Sequence, residues 1–232
     1  MEHSWLHALQ SAVLAPHCAL CHARATPEID LCAACRAELP WQAYGCTYCG
    51  LTLAGTTTTT ACRDCLQQPR FDGAIATFEY LPPADWLITR LKFHRRFTHA
   101  RLLGTLMAAR IAGASAPAPD YIVPVPLHAR RYRERGYNQA EMLARQLARK
   151  LELPVRGDLA RRRRHTSPQL SLPATERKRN VRNAFAVRAD CSGDDIAIVD
   201  DVVTTGHTAA ALATALKRNG AARVRLWCAA RA

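Results

Sequence analysis

Short apolar runs alternate with amphipathic segments in the second part of the chain. The clearest unit is Ile196–Val199, an apolar run typical of a buried parallel strand. Apolar residues then recur at helical spacing from Ala209 to Leu216, and Asn219-Gly220 is a helix-stop signal. The pattern predicts a strand, a polar loop and a helix. In such units ligands bind at the carboxyl end of the strand.

The same pattern predicts the remaining elements of an α/β fold, with a parallel sheet flanked by helices. Alternating residues favour a strand over Phe71–Tyr80, which Pro82-Pro83 ends. Further predicted elements are a helix over residues 4–14, one or two helices over 84–112, a strand over Tyr121–Pro126, a helix from Ala140 to about Leu151, and a final strand over Val224–Cys228.

Cysteines dominate the N-terminal part, where eight of the ten fall in four CxxC pairs. Two such pairs complete a tetrahedral zinc site, so the chain has room for two structural sites. Sequential pairing is the simplest, although spacing alone leaves crossed pairing open. His17 and His22 are expected to be solvated. The predicted ligands are Cys18, Cys21, Cys32 and Cys35 for one zinc, and Cys46, Cys49, Cys62 and Cys65 for the other.

Disulfides are the alternative use of these cysteines. The N-terminus lacks the features of a signal peptide, and no apolar run approaches the length that spans a bilayer. We therefore predict a cytoplasmic protein in which the thiols bind metal. The expected organisation is an N-terminal helix with a small double zinc-ribbon domain over residues 1–70, and an α/β domain over residues 71–232.

The predicted strand at 196–199 ends in two carboxylates, Asp200 and Asp201, and Thr204–Thr208 follows as a hydroxyl-rich loop with one glycine. Backbone N–H groups of such a loop and of the helix N-terminus attract an anion. Carboxylates instead suit sugar hydroxyls or hydrated Mg²⁺. Phosphate on the loop beside a diol or metal on the carboxylates describes a ribose 5-phosphate.

The formal charge of +13 favours polyanions, or it reflects an arginine-rich, well-solvated surface. A basic loop at residues 130–135 could hold pyrophosphate, and the alternative is a solvated cluster of arginines. The polar, basic segment at residues 161–185 is interpreted as a lid or a nucleic-acid-binding arm. For Lys92–Phe97 we favour core packing of the aromatic rings beside a solvated basic face over base stacking.

The run from Ile196 to Thr208 resembles the 5-phosphoribosyl-1-pyrophosphate (PRPP) signature of the type I phosphoribosyltransferases. The resemblance implies that Asp200 and Asp201 bind the ribose hydroxyls at the catalytic centre and that the loop after them grips the 5′-phosphate. The implied PRPP-binding residues are Asp200, Asp201, Val202, Val203, Thr204, Thr205, Gly206, His207 and Thr208. Arginines of the two basic segments are expected to serve the pyrophosphate, namely Arg130, Arg131, Arg135, Arg164 and Arg179.

The whole chain resembles the ComF/GntX family, which combines a zinc ribbon with a phosphoribosyltransferase-like domain and is associated with natural competence and DNA uptake. Besides the cysteines and the PRPP signature, the resemblance rests on Val125-Pro-Leu127, Arg135-Gly-Tyr-Asn-Gln139, Arg164-His-Thr166 and Arg179–Phe185. It implies structural zinc, PRPP with Mg²⁺, single-stranded DNA and other competence proteins as partners, and it allows a homodimer.

Three hypotheses follow from the sequence. The first is a transferase that displaces pyrophosphate from Mg²⁺-PRPP. The second is a DNA-binding adaptor in which the zinc ribbon and the arginines grip single strands. The third is a PRPP-sensing regulator without turnover. The acceptor of a transferase reaction has no recognisable element in the sequence.

Overall fold

The computed structural model describes residues 16–26, 28–54, 60–163 and 184–232. The helix predicted over residues 4–14 and most of the segment predicted as a lid lie outside the described residues. Within them, no helix is both long enough and apolar enough to cross a membrane. The elements in chain order are α1 (Ala33–Ala37), α2 (Arg63–Gln67), β1 (Gly73–Glu79), α3 (Ala84–Phe93), α4 (Thr98–Ala112), β2 (Tyr121–Pro124), α5 (Ala129–Arg135), α6 (Gln139–Leu151), β3 (Ala160–Arg162), β4 (Phe185–Val187), β5 (Asp195–Val203), α7 (His207–Arg218) and β6 (Arg223–Arg231).

Four of these strands form a parallel sheet in the order β1-β6-β5-β2. Strands β3 and β4 form a separate antiparallel pair. The register places Asp200 of β5 opposite Cys228 of β6. Both strands of this central pair are buried on both faces, which explains why they appear in the sequence as apolar runs rather than as alternating patterns.

The two faces of the sheet support separate apolar layers. On one face Ala197, Val199 and Trp227 pack with the buried sides of α3, α4 and α6. On the other face Ile198 and Leu226 pack with α7, the β3–β4 pair and the second group of cysteines. The first group packs on the α3–α4 side instead, through residues such as Leu31. The cysteine-rich part therefore contacts both faces of the sheet.

The chain from Pro40 to Thr47 covers the outer edge of β1. Gln42 N–H donates to the Thr77 carbonyl at 3.1 Å, and Glu79 N–H donates to the Pro40 carbonyl at 2.9 Å. Ala74 N–H donates to the Thr47 carbonyl at 2.7 Å further along the strand. An uncovered edge strand would present unpaired N–H and C=O groups to other chains, so these bonds protect the sheet.

The predicted α/β fold with a parallel sheet is confirmed, and so are the predicted strands and helices that fall within the described residues, with shifts at their ends. The segment 84–112 forms two helices, β2 ends two residues earlier than predicted, and β6 extends to Arg231. The prediction that Phe93 and Phe97 pack in the core was wrong, because these side chains are 64% and 49% exposed. The domain boundary between residues 70 and 71 stays a prediction.

Candidate functional site

The eight paired cysteines form two clusters in which the sulfur atoms lie within 4.8 Å of one another. The clusters confirm sequential pairing and contain neither His17 nor His22. The Sγ atoms of Cys21 and Cys32 lie 3.6 Å apart, and those of Cys49 and Cys62 lie 3.7 Å apart. A tetrahedron with Zn–S bonds of about 2.3 Å requires roughly 3.8 Å between sulfurs. Both clusters therefore fit structural zinc bound by four thiolates.

The environment of these thiols also prepares them for metal. Burial alone would raise the pKa of the Cys18 and Cys46 thiols. Backbone N–H groups outweigh that effect and lower the pKa of Cys18 to about 6 and that of Cys46 to about 7. Because the thiolate is the form that binds metal, each cluster contains a ligand that deprotonates near neutral pH.

A polar pocket lies at the carboxyl end of β5, where the loop to α7 meets the loop after β2. This is the place where parallel α/β sheets bind ligands. The predicted acidic pair and phosphate loop both line it. Its lining consists of Lys92, Val125–Leu127, Arg131, Arg135, Gln139, Arg162 and the continuous stretch from Asp200 to Ala209.

The two carboxylates of the acidic pair differ in their surroundings. Lys92 Nζ forms an ion pair with Asp201 Oδ2 at 2.8 Å. The Val202 N–H donates to Asp201 Oδ1 at 2.8 Å. Burial acts to raise the pKa of Asp201, but Lys92 and this N–H outweigh it and lower the pKa. Burial and the neighbouring Asp201 raise the pKa of Asp200 well above its ordinary value.

These opposite shifts predict opposite effects of two matched substitutions on stability. Asp200→Asn removes a carboxylate whose ionisation the folded state opposes, so we expect the melting temperature at pH 7 to rise by at least about 2 °C. Asp201→Asn removes the partner of Lys92, so we expect the melting temperature to fall by a similar amount. Thermal unfolding followed by circular dichroism measures both.

The pH dependence provides a second check on the same pair. With a raised folded-state pKa, Asp200 makes the protein less stable as pH rises above about 4 towards that pKa. The Asp200→Asn variant should lack this loss. With a lowered folded-state pKa, Asp201 stabilises the protein above about pH 4, and that gain disappears as pH falls. Equal melting temperatures for both variants at every pH would contradict these assignments.

The loop after the acidic pair has the backbone geometry of an anion site. Gly206 precedes α7 with a φ of 71°, in the left-handed region that favours glycine. The N–H groups of the first helical turn have no partner within a helix, and the helix dipole adds positive potential there. Thr204 and Thr205 are exposed beside this turn, so their hydroxyl groups can donate to the same ligand.

The predicted pyrophosphate arginines are found in different places. Arg131 and Arg135 line the pocket. Arg130 lies outside the pocket lining and forms an exposed ion pair with Glu134 at 2.9 Å. Arg164 and Arg179 lie outside the described residues. Burial lowers the pKa of Arg135, and its Nη1 donates to Gln139 Oε1 at 2.5 Å, which orients the guanidinium.

The site contains residues that the sequence did not identify. Lys92 was predicted to belong to a solvated basic face, yet it forms the ion pair with Asp201 across more than 100 residues of chain. Arg162 was included only as part of a basic segment, yet it lies at the end of β3 in the pocket wall. Burial and the nearby Arg131 lower its pKa. The spacing of residues along the sequence does not indicate contacts between side chains that are so far apart in the chain.

Two family models match the chain. Residues 9–66 match the double zinc ribbon domain, and residues 138–232 match the phosphoribosyl transferase domain. The first match contains both cysteine clusters, and the second contains the acidic pair and the loop after it.

Solved structures give a weaker likeness. A glutamine PRPP amidotransferase from B. subtilis is 21% identical with a TM-score of 0.39, over 56% of this chain and 25% of that chain. A purine phosphoribosyltransferase from Pyrococcus horikoshii is 15% identical with a TM-score of 0.33, over 68% and 88% of the two chains. Likenesses at this level say nothing about activity.

Curated relatives match almost the whole length. A protein of Salmonella typhi named DNA utilization protein YhgH is 39% identical over 205 residues, which is 85% of this chain and 88% of the relative. Competence protein F of Haemophilus influenzae is 34% identical over 210 residues, which is 87% and 90% of the two chains. With its double zinc ribbon and its phosphoribosyltransferase domain, the chain belongs to the ComF/GntX family.

Proposed function

We propose that the pocket at the carboxyl end of β5 binds Mg²⁺-PRPP. The observation that carries the proposal is the arrangement of the pocket wall, in which an acidic pair and a phosphate loop face Lys92, Arg131, Arg135 and Arg162. A ribose with phosphate at one end and pyrophosphate at the other needs these three kinds of group around it. The acidic pair and the phosphate loop both lie within residues 138–232, which match the phosphoribosyl transferase domain.

Each part of the ligand then has its own partners. The half-buried Asp200 and the buried Asp201 accept hydrogen bonds from the ribose hydroxyls. The N–H groups of Thr204–Thr208 bind the 5′-phosphate. Arg131, Arg135 and Arg162 face the pyrophosphate, whose charge also offsets the repulsion between Arg131 and Arg162. The carboxylates are hard oxygen ligands of the kind that Mg²⁺ prefers, so the donor set fits the metal.

This arrangement suits transfer of a phosphoribosyl group with release of pyrophosphate. The leaving pyrophosphate gains negative charge and the ribose ring gains positive charge, so the arginines and the acidic pair stabilise opposite ends of the same transition state. Bound Mg²⁺ would neutralise further charge on the pyrophosphate. The acceptor that attacks C1 of the ribose has no assigned group in this pocket.

Ribose 5-phosphate and pyrophosphate each represent one half of PRPP, and these two half-ligands test the two parts of the proposed site separately. We expect the Asp200→Asn/Asp201→Asn variant to lose ribose 5-phosphate while it still binds pyrophosphate. We expect Arg131→Gln to weaken pyrophosphate binding by about tenfold, the effect of one charge-assisted hydrogen bond. Arg130→Gln is the matched control, because Arg130 lies one residue away but outside the pocket, and it should change binding by less than about threefold. Isothermal titration of each half-ligand measures these effects, and a loss of pyrophosphate binding in the Arg130 variant alone would contradict the assignment.

A second candidate function, binding of single-stranded DNA, is favoured by the exposed aromatic side chains. The relatives named for DNA utilization and competence point the same way. Phe93 is 64% exposed at the end of α3, and the Arg135 guanidinium lies 5.2 Å from its ring centroid. Phe93, Arg95 and Tyr137 line a cleft that shares Lys92, Arg131 and Arg135 with the PRPP pocket. Aromatic rings among cations bind unpaired bases and backbone phosphates.

This second function predicts that Phe93→Ala weakens binding of a short oligo-dT strand by about tenfold, the value of one stacked base. Phe93→Trp should retain binding, because it keeps a stacking surface. Trp86→Ala is the control, since Trp86 lies on the same helix, is 41% exposed and also faces an arginine, but lies outside this cleft. Fluorescence anisotropy measures the affinities. Equal binding of duplex DNA of the same length would contradict base stacking.

A further inference from the structure

The carbonyl groups of the phosphate loop face a buried arginine at the end of the last strand. Arg231 is 7% exposed, and its Nη1 donates to the carbonyls of Val203 at 2.8 Å and Ala232 at 2.7 Å, and also to the carbonyl of Thr204. A single side chain therefore fixes two consecutive peptide groups at the beginning of the loop.

Arg231 also reaches the second zinc site. Its Nε donates to the backbone carbonyl of Cys49 at 3.2 Å, and Cys49 is one of the four ligands of that site. A second bridge comes from Arg70, which lies three residues beyond the helix that contains Cys65. Its Nη1 donates to the Thr205 carbonyl at 2.9 Å. The second zinc site and the phosphate loop are thus joined through two guanidinium groups.

These bonds determine the direction of the donors in the loop. In a trans peptide group the C=O and the following N–H point in opposite directions. The carbonyls of residues 203, 204 and 205 point towards the arginines. The N–H groups of Thr204, Thr205 and Gly206 therefore point away from them, and these residues line the pocket. The arginines hold the N–H groups in the direction from which an anion would bind.

We propose that Arg231 and Arg70 are positioning residues for the phosphate loop, and that the second zinc site, through the Cys49 carbonyl, holds Arg231 in place. The consequence for ligand binding rests on the proposed function, because it assumes that the loop binds the 5′-phosphate. The consequence for loop order does not, since it concerns the protein without ligand. Loss of zinc from the second site would then weaken phosphate binding without removing any residue that touches the phosphate.

Three variants of the zinc-loaded protein test the proposal. Arg231→Lys keeps the charge but cannot reach the same set of carbonyls, and Arg70→Gln changes an exposed residue. Arg223→Gln is the control, because Arg223 lies on the same strand but is mostly exposed and pairs with Asp195 at 2.9 Å. Zinc content and circular dichroism establish that each variant is folded and retains its metal.

Two readouts separate this inference from the proposed function. Backbone ¹⁵N order parameters at residues 204–206, measured without ligand, should fall from about 0.85 to below about 0.6 in the Arg231 and Arg70 variants but not in the Arg223 control. Affinity for ribose 5-phosphate should fall by about tenfold in the same two variants. Unchanged order parameters in both would overturn the inference. Lower order parameters in a protein that never binds ribose 5-phosphate would leave the positioning role intact and count against the proposed function. If Arg231→Lys does not fold, Arg70→Gln alone decides.

Discussion

Removal of zinc from both four-cysteine sites is expected to unfold the N-terminal part of the chain and to uncover the edge of the sheet. The ribbon contains few apolar residues of its own, and those that are buried, such as Leu31 and Leu39, pack against α3 and α4. Structural zinc contributes about 10–16 kcal/mol in zinc-finger peptides, whereas whole domains are stable by about 5–15 kcal/mol. Loss of the metal should therefore have a larger effect on the free energy of unfolding of this region than the loss of any other interaction there.

The measurement combines metal analysis with unfolding. We expect two zinc ions per chain in the native protein, one in a Cys32→Ser/Cys35→Ser variant, and cleavage by protease between residues 16 and 70 after chelation. A Cys191→Ser/Cys228→Ala variant is the control, because these two thiols are buried outside both clusters and should not affect zinc content. A zinc-free protein with an unchanged melting temperature and unchanged protease resistance would contradict a structural role for the metal.

The second large effect is expected at the acidic pair, where the Asp200→Asn/Asp201→Asn variant should lose measurable binding of Mg²⁺-PRPP. Two hydrogen bonds to charged acceptors contribute about 1.5–3 kcal/mol each, so their loss corresponds to at least about 100-fold in affinity. The variant should still fold, because the gain expected from Asp200→Asn opposes the loss expected from Asp201→Asn. The double substitution should thus remove ligand binding without unfolding the protein.

The central strands and the acidic pair could be predicted because their signals are local. β5 and β6 are apolar runs in the sequence since helices cover both faces of the sheet, and Asp200-Asp201 follows β5 directly. Sequential pairing of the cysteines is also local, because each cluster is formed within a single stretch of fewer than 25 residues. In these places the chain neighbours are also the spatial neighbours.

The remainder depends on contacts between distant residues, for which the sequence has no pattern. Lys92 meets Asp201 because the end of α3 reaches the end of β5, and Arg231 meets Cys49 because the ribbon lies along the edge of β1. Phe93 was misassigned for a related reason. An aromatic residue among basic residues gives the same sequence pattern whether its ring is in the core or in solvent. Phe93 is exposed because it is the last residue of α3.

Calorimetric titration of Mg²⁺-PRPP into the zinc-loaded protein distinguishes a PRPP site from an unrelated polar pocket. We expect binding in the micromolar range to the native protein, and none to an Asp200→Asn/Asp201→Asn variant with the same zinc content and circular dichroism spectrum. Absence of heat in the folded native protein, or equal binding by the variant, would contradict the assignment of this pocket to PRPP.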